Sequence, residues 1–289
     1  MTGMKYQLYS PVKQVDLLFT KLPVWCYNLN EVIVMLEKAI QEYINTNKSA
    51  RQVAREFSLG KDKVTNELKK RGLLRPKKDN SYDTRFFQTI NTEAKAYWLG
   101  FIYADGCVKS GGRNVLEITL SINDKDHLTK FKRDVKFKGE VKIKRGKKYD
   151  ACRVSLYGKD IIDDLIHQGA VPRKSLVLQF PKHLDKHLIR HFIRGYFDGD
   201  GSIYEYTKLH KISMSMLGTE EFLSEVQEVF MQELGVSKVK VYNHQRIYEY
   251  KKSRNEAIKI MDYLYSDCTV YLERKFSKYA HLTQNLEKC

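Results

Sequence analysis

Residues 98–106, WLGFIYADG, and residues 193–201, IRGYFDGDG, are two versions of one pattern, with their aspartates Asp105 and Asp200 standing 95 residues apart. Each is an apolar run at helical spacing that stops on Asp-Gly. A carboxylate at that end meets the negative pole of its own helix dipole. Gly100 and Ala104 are four apart, as are Gly195 and Gly199, so each helix carries a stripe with almost no side chain. Such a stripe costs helix propensity, up to ~1 kcal/mol per Gly, a loss that close packing of two helices can offset. The pattern predicts two helices packed side by side with Asp105 and Asp200 together at one end. Two carboxylates there repel each other and the helix ends, and a divalent cation between them reverses the sign of that interaction.

The same order of elements follows both motifs. In the first copy the expected elements are a short strand (107–109), an alternating strand (115–121), a helix from about 124 to 135, strands 140–144 and 152–157, and a helix 159–169. In the second they are strands 202–207 and 211–216, a helix 219–234, strands 238–242 and 246–251, and a helix 255–266. Both read α-β-β-α-β-β-α. Asn91 or Thr92 is the expected cap of the first motif helix, with Glu93 in its opening turn, and Asp185 that of the second. An EF-hand reading of DGDGS (198–202) fails, because Ile203 stands where the sharp-turn Gly belongs.

Charge narrows the partner. Fifty-one Lys and Arg stand against 35 Asp and Glu, a formal +16, which points to a polyanion, nucleic acid ahead of an anionic membrane. No apolar run approaches the ~18–20 residues of a spanning helix, and MTGMKYQLYSPVK has no signal-peptide core. Cysteines 26, 107, 152, 268 and 289 are scattered and never form CxxC, so neither a disulfide framework nor a zinc site is expected. A soluble protein of a reducing compartment is expected, in a bacterial or phage-infected cytoplasm or in an organelle.

Ahead of the repeat, NEVIVMLEKAIQEYI (30–44) has a helical period with Asn30 as expected cap. Residues 49–74 then suit a helix-turn-helix at about 49–71, with Ala54 at a close crossing, a turn ending on Gly60, and Val64 and Leu68 facing inward. Lys61, Lys63, Thr65, Asn66, Lys69 and Lys70 would be its exposed, DNA-facing set, although Ser58 stands where Gly is favoured. Residues 48–80 hold 11 Lys/Arg against 4 Asp/Glu. The turn-rich stretch 76–91 reads as a linker, pinned at Phe86 and Phe87. The domains expected are thus 1–75, a linker 76–91, a first unit 92–180 and a second unit 181–289.

Alternation in EVKIK (140–144) should bury Val141 and Ile143 and turn Lys142 and Lys144 outward. KVKVY (238–242) should bury Val239 and Val241 and expose Lys238, Lys240 and Tyr242. Arg153, Ser155 and Tyr157 form a similar outward set, and residues 132–148 hold 9 Lys/Arg against 2 Asp/Glu. Twisted ribbons of this kind can enter a major groove while their lysines neutralise phosphates.

The two gap-free nine-residue motifs and the repeated unit, over roughly 92–280, resemble the single-chain, two-motif LAGLIDADG homing endonucleases. The resemblance implies an α+β fold in which two pseudo-symmetric αββαββα units, related about their motif helices, form a saddle-shaped DNA-binding surface beside a small all-α N-terminal domain. It implies that Asp105 and Asp200 bind divalent metal, most readily Mg²⁺, and that the family's sixth-position acid is replaced by Tyr103 but kept as Asp198. Lys174 and Lys275, 69 and 75 residues after their aspartates, match the family's basic catalytic position, with Arg173 and Arg274 as weaker candidates. It implies a monomer making a double-strand break in a long asymmetric DNA target, as in intron homing. Two other classes share the fold: an RNA-binding intron maturase, whose partner would be the host intron RNA, and a transcription regulator that binds DNA without cutting. Intact acids in both motifs favour the nuclease, and the helix-turn-helix suits duplex DNA better than RNA.

Overall fold

The computed structural model describes residues 29–76, 79–146, 148–174, 177–206, 211–244 and 247–286, and the chain divides into two compact units, 1–77 and 78–289. Cys26, Cys289 and the apolar stretch of residues 17–28 lie outside the described residues.

The first unit is helical: α1 (Leu29–Asn45), α2 (Ala50–Glu56) and α3 (Lys61–Lys70). Ala39, Ile40, Tyr43, Val53, Ala54, Leu59, Val64 and Leu68 form its core, so the three helices bury one stripe each. Helix α1 begins at Leu29, which places Asn30 inside the helix instead of capping it. Ser49 caps α2 in a capping box, accepting from the backbone N–H of Gln52 while the Gln52 side chain accepts from the backbone N–H of Ser49. Ser58, where Gly would be favoured, does take the left-handed conformation at φ 52°, whereas Gly60 sits at an ordinary φ of −63°. Ser49→Ala is expected to cost about 1 kcal/mol locally, read as faster amide hydrogen exchange confined to α2 of the full chain.

In the second unit the repeat is complete. Its first copy runs α4 (Glu93–Asp105), β1 (Gly106–Lys109), β2 (Val115–Ser121), α5 (Lys125–Asp134), β3 (Lys142–Lys144), β4 (Ala151–Tyr157) and α6 (Lys159–His167). The second runs α7 (Lys186–Asp200), β5 (Gly201–Tyr206), β6 (Lys211–Gly218), α8 (Glu220–Leu234), β7 (Tyr242–His244), β8 (Ile247–Ser253) and α9 (Arg254–Tyr265), and α10 (Glu273–Leu286) follows. The antiparallel sheets have orders β1-β2-β4-β3 and β5-β6-β8-β7, the same topology twice. One continuous core takes the inward residues of both sheets and the helices over them. The stretch before α4 joins this core: Phe86 and Phe87 are buried, and Arg85 pairs with Asp164 at 3.0 Å.

Helices α4 and α7 form the axis of the unit. A Cβ on Gly100 would lie 1.9 Å from the carbonyl oxygen of Phe192, and a Cβ on Gly195 would lie 1.9 Å from that of Tyr97. The two contacts are related by exchange of the copies, so the backbones touch at two equivalent points. Only a residue without a side chain permits this approach. Thr92, accepting from Lys95 N–H, caps α4, while Asp185 stands at the N-cap of α7 without a capping bond from its side chain.

Two expectations need correction, at Ile143 and at residues 238–241. Gly106 and Gly201, with φ of −76° and −90°, each follow a helix directly and open a strand. They are glycines because a Cβ would strike Ile102 or Phe197 one turn back. Ile143 is 54% exposed, because β3 is a three-residue edge strand where alternation does not ensure cover. Residues 238–241 form no strand, and β7 starts only at Tyr242; the alternation persists even so, with Val239 and Val241 against the core and Lys238, Lys240 and Tyr242 exposed.

Candidate functional site

Because α4 and α7 run side by side, their last residues, Asp105 and Asp200, arrive at the same place. A Cβ on Gly199, the residue before Asp200, would touch the Ala104 methyl and lie 3.4 Å from Oδ2 of Asp105. Asp105 is exposed and Asp200 half-buried at the surface, yet protein packed around both removes part of their water. Burial raises Asp105 above the ordinary carboxylate range, against the pull of Lys275 and Lys174. Burial, and then the charge of Asp105, pushes Asp200 up to about 6, again against Lys174 and Lys275. The pair is thus mutually repulsive, and each member feels both lysines.

The two lysines reach the site by different routes. Lys174 stands on a turn after α6 and donates from Nζ to the carbonyl of Gly106 at 2.5 Å. Lys275 is in the first turn of α10, a helix that the sequence pattern did not reveal, and is 5% exposed. Its Nζ donates to the carbonyls of Phe197 at 2.5 Å and Gly199 at 3.3 Å, at the negative end of α7. Burial lowers both amines, Lys275 to about 8, while Asp198 and then the site aspartates hold that one up. Arg173 is exposed, and Arg274 is engaged with Asp124 at 3.1 Å, so neither guanidinium occupies the position of its neighbouring lysine.

The residues expected at a nucleic-acid face divide more unevenly. Lys142, Lys144 and Tyr157 are exposed on the first sheet, while Arg153 is partly covered and tied to Thr119 at 3.1 Å and Glu117 at 3.4 Å. Glu117 also accepts from Lys109, so this carboxylate sits within the basic face. In the second copy the exposed set is Lys238 and Lys240, ahead of β7, and Tyr242 on it, joined by Tyr204, which lies under Lys251 with Nζ 5.5 Å from its ring centroid. In the first unit Lys61, Lys63, Asn66, Lys69 and Lys70 are exposed on α3. Thr65 is not a free reader there, since its hydroxyl donates back to the carbonyl of Lys61 at 2.8 Å.

Sequence reasoning placed Asp198 only as the sixth position of a motif and gave it no neighbours. It is fully buried and accepts from Tyr97 Oη (2.6 Å), Tyr265 Oη (2.6 Å) and Leu272 N–H (2.7 Å). Arg194 is likewise fully buried, and its position inside an apolar motif helix was the one signal that could have flagged it.

What the site can do follows from its donors. Among the described residues no cluster of three or more His, Cys, Asp and Glu exists. Two carboxylates alone, set side by side and repelling each other, suit a hard divalent cation that fills most of its shell with water or phosphate oxygen. A cation held there would compete with the proton for Asp200. Cation affinity is therefore expected to weaken by up to about tenfold per pH unit as pH falls below about 6, read by titration calorimetry at pH 5, 6 and 7.5.

No protein of curated function matches the chain in sequence. Among solved structures, the LAGLIDADG meganuclease I-AabMI bound to uncleaved DNA is 12% identical, with 66% of this chain and 91% of that chain covered and a TM-score of 0.45. Mesophilic variants of the homing endonuclease I-DmoI are 18% identical over 69% of this chain and 99% of theirs, with a TM-score of 0.44. Full-length DUF199/WhiA from "Thermatoga maritima" is 14% identical over 70% of this chain and 64% of that one, with a TM-score of 0.43. Residues 187–262, from the opening turn of α7 into α9, match the family model described as a LAGLIDADG-like domain.

Proposed function

We propose that the chain is a divalent-cation-dependent endonuclease that makes a double-strand break in a long, asymmetric DNA site. The observation that carries this reading is the meeting of Asp105 and Asp200 at the joined ends of α4 and α7, within the field of both Lys174 and Lys275. A divalent cation such as Mg²⁺, bound there, supplies positive charge to a phosphodiester undergoing hydrolysis. Asp105 and Asp200 hold it from the two copies. Lys174 and Lys275 each keep an ammonium beside the scissile phosphate, where it offsets charge that develops on the phosphate oxygens. With Lys275 lowered to about 8, that amine also exchanges a proton near neutrality.

The sheet faces supply the duplex contacts. Lys142, Lys144 and Arg153 from one copy, with Lys238 and Lys240 from the other, neutralise phosphates, while Tyr157 and Tyr242 offer apolar area and a hydroxyl to base edges. The helix-turn-helix α2–α3 adds Lys61, Lys63, Asn66 and Lys69 and lengthens the target. Because the copies differ in sequence at most of these positions, the two half-sites differ too.

The test is selection of binding duplexes from a randomised library in Ca²⁺, followed by incubation of the recovered duplex in Mg²⁺ or EDTA. Cleavage of both strands in Mg²⁺ alone is expected. Tight, salt-sensitive binding with no cleavage in Mg²⁺ or Mn²⁺ would replace the nuclease with a DNA-binding regulator.

A further inference from the structure

The second copy holds its lysine by a network that has no counterpart around Lys174 among the described residues. Between α9 and α10 the chain crosses as a short strap, 267–272, and its backbone is bound by the buried Arg194 and Asp198 together with the half-buried Glu93 and Lys130. Oε1 of Glu93 accepts from the N–H of Thr269 (2.7 Å) and of Val270 (3.3 Å). Arg194 donates to that same carboxylate oxygen at 2.6 Å, to the carbonyl of Val270 at 2.9 Å and to that of Leu264 at 3.0 Å. Lys130 reaches the carbonyl of Tyr271 at 3.1 Å. Asp198 accepts from Leu272 N–H and Tyr97 Oη on one oxygen and from Tyr265 Oη on the other. The next turn begins there, since Lys275 N–H donates to the carbonyl of Leu272 at 3.0 Å.

Glu93, Tyr97 and Lys130 belong to the first copy, so the strap is also where the copies lock. In the gap-free alignment of the motifs, Leu99 stands opposite Arg194 and Tyr103 opposite Asp198. Tyr103 instead donates to the carbonyl of Gln168 at 2.8 Å, well before Lys174 in the chain. Lys174 therefore rests on a turn with no buried charged residue bonded to its backbone among the described contacts, whereas Lys275 rests on a strap clamped by two carboxylates and a guanidinium.

We infer that Asp198, Arg194 and Glu93 are positioning residues that set the place of Lys275 through the strap, and that Asp198 is no metal ligand. All three of its hydrogen-bonding partners are donors of the protein, and it is fully buried beneath the site. This inference rests on the nuclease reading for its kinetic consequence but not for its structural one. Asp198→Asn turns an amide N–H toward donors, so Leu272 or a tyrosine loses its acceptor and the strap loosens.

The test has two arms on the full chain. In the first, lysine amines are labelled with an N-hydroxysuccinimide ester without metal or DNA and quantified by mass spectrometry. Lys275 is expected to react at least about tenfold more slowly than Lys174 in the wild type, and in Asp198→Asn that gap should close while Lys174 keeps its rate. Tyr265→Phe, which keeps the ring and drops one bond to Asp198, should close it partly and guards against a variant that fails to fold. In the second arm, the selected duplex is cut in Mg²⁺. Asp198→Asn should lower kcat with KM unchanged, and adding Asp198→Asn to Lys275→Ala should cost nothing further. Unchanged Lys275 labelling in a folded Asp198→Asn, an equal rise at Lys174, or additive losses in the double variant would overturn the inference. If the wild type cuts nothing, the nuclease reading fails, and the labelling arm still decides the positioning role.

Discussion

Asp200→Asn is expected to melt above the wild-type protein in EDTA at neutral pH, yet to leave both strands of the selected duplex joined in Mg²⁺. The two effects have one cause. Asp200 ionises near 6 in the folded chain, because burial and Asp105 oppose its charge, against 3.8 ordinarily. A carboxyl raised in this way lends stability that is full below about 3.8 and lost as pH rises through about 6, so at pH 7.5 the ionised group destabilises the fold. Raising the carboxyl from 3.8 to about 6 corresponds to at most about 3 kcal/mol, less after solvent screening, and Asn removes that burden. The melting-temperature gap between variant and wild type should therefore widen from pH 5 to pH 7.5 in EDTA and narrow when Mg²⁺ is added. Cleavage should fall by about 10³-fold or more, because a site with two carboxylates that loses one keeps too little charge to hold the cation. Asp105→Asn should behave alike in cleavage, and DNA binding should survive in both because the sheet faces are untouched. Undiminished double-strand cutting by both single variants would remove these residues from the chemistry.

Gly100→Ala and Gly195→Ala are expected to abolish the native fold of residues 78–289. A methyl group at either position would lie 1.9 Å from a carbonyl oxygen of the opposite helix, and no rotamer can move backbone aside. The helices would have to part along the axis of the unit, opening its core at Tyr97, Phe101, Phe192 and Tyr196, all buried. A loss above about 4 kcal/mol is expected for each, a large share of the roughly 5–15 kcal/mol that stabilises a typical domain. Chemical denaturation followed by tyrosine and tryptophan fluorescence measures it. Gly60→Ala, with nothing within 4 Å of its would-be Cβ, serves as the control and should change stability by less than about 1 kcal/mol.

Much of this was legible because the chain repeats itself. One Asp-Gly at a helix end is an ordinary helix stop, but Asp105 and Asp200 share a glycine five residues back and a glycine one residue on. Strand positions followed from period-2 alternation wherever a face meets the core, as at Leu116, Ile118, Val154 and Leu156. Alternation failed at Ile143 because an edge strand has no layer above it to reward an apolar side chain. The polar network was illegible for a different reason. Glu93 read as a helix-opening acid, whereas its carboxylate is bound across the unit by Arg194, Thr269 and Val270. Those residues lie roughly a hundred and more positions away, and no local period encodes such a partner.

By itself the sequence determined the duplication, the order of elements, the two backbone-to-backbone helices and the identity of the paired aspartates. Each depends on periodicity or on the absence of a side chain, which are local properties that survive in one dimension. The tertiary structure alone decided which motif aspartate is bonded into the fold and which is left beside Asp105. Asp198 and Asp200 stand two residues apart in one motif, but burial among three donors spends the first on the strap, while the end of α7 leaves the second beside Asp105. It likewise decided that Lys275 would be clamped and Lys174 would rest on a turn. Hydrogen bonds and desolvation are set by what surrounds a group, and those surroundings exist only once the two copies have closed on each other.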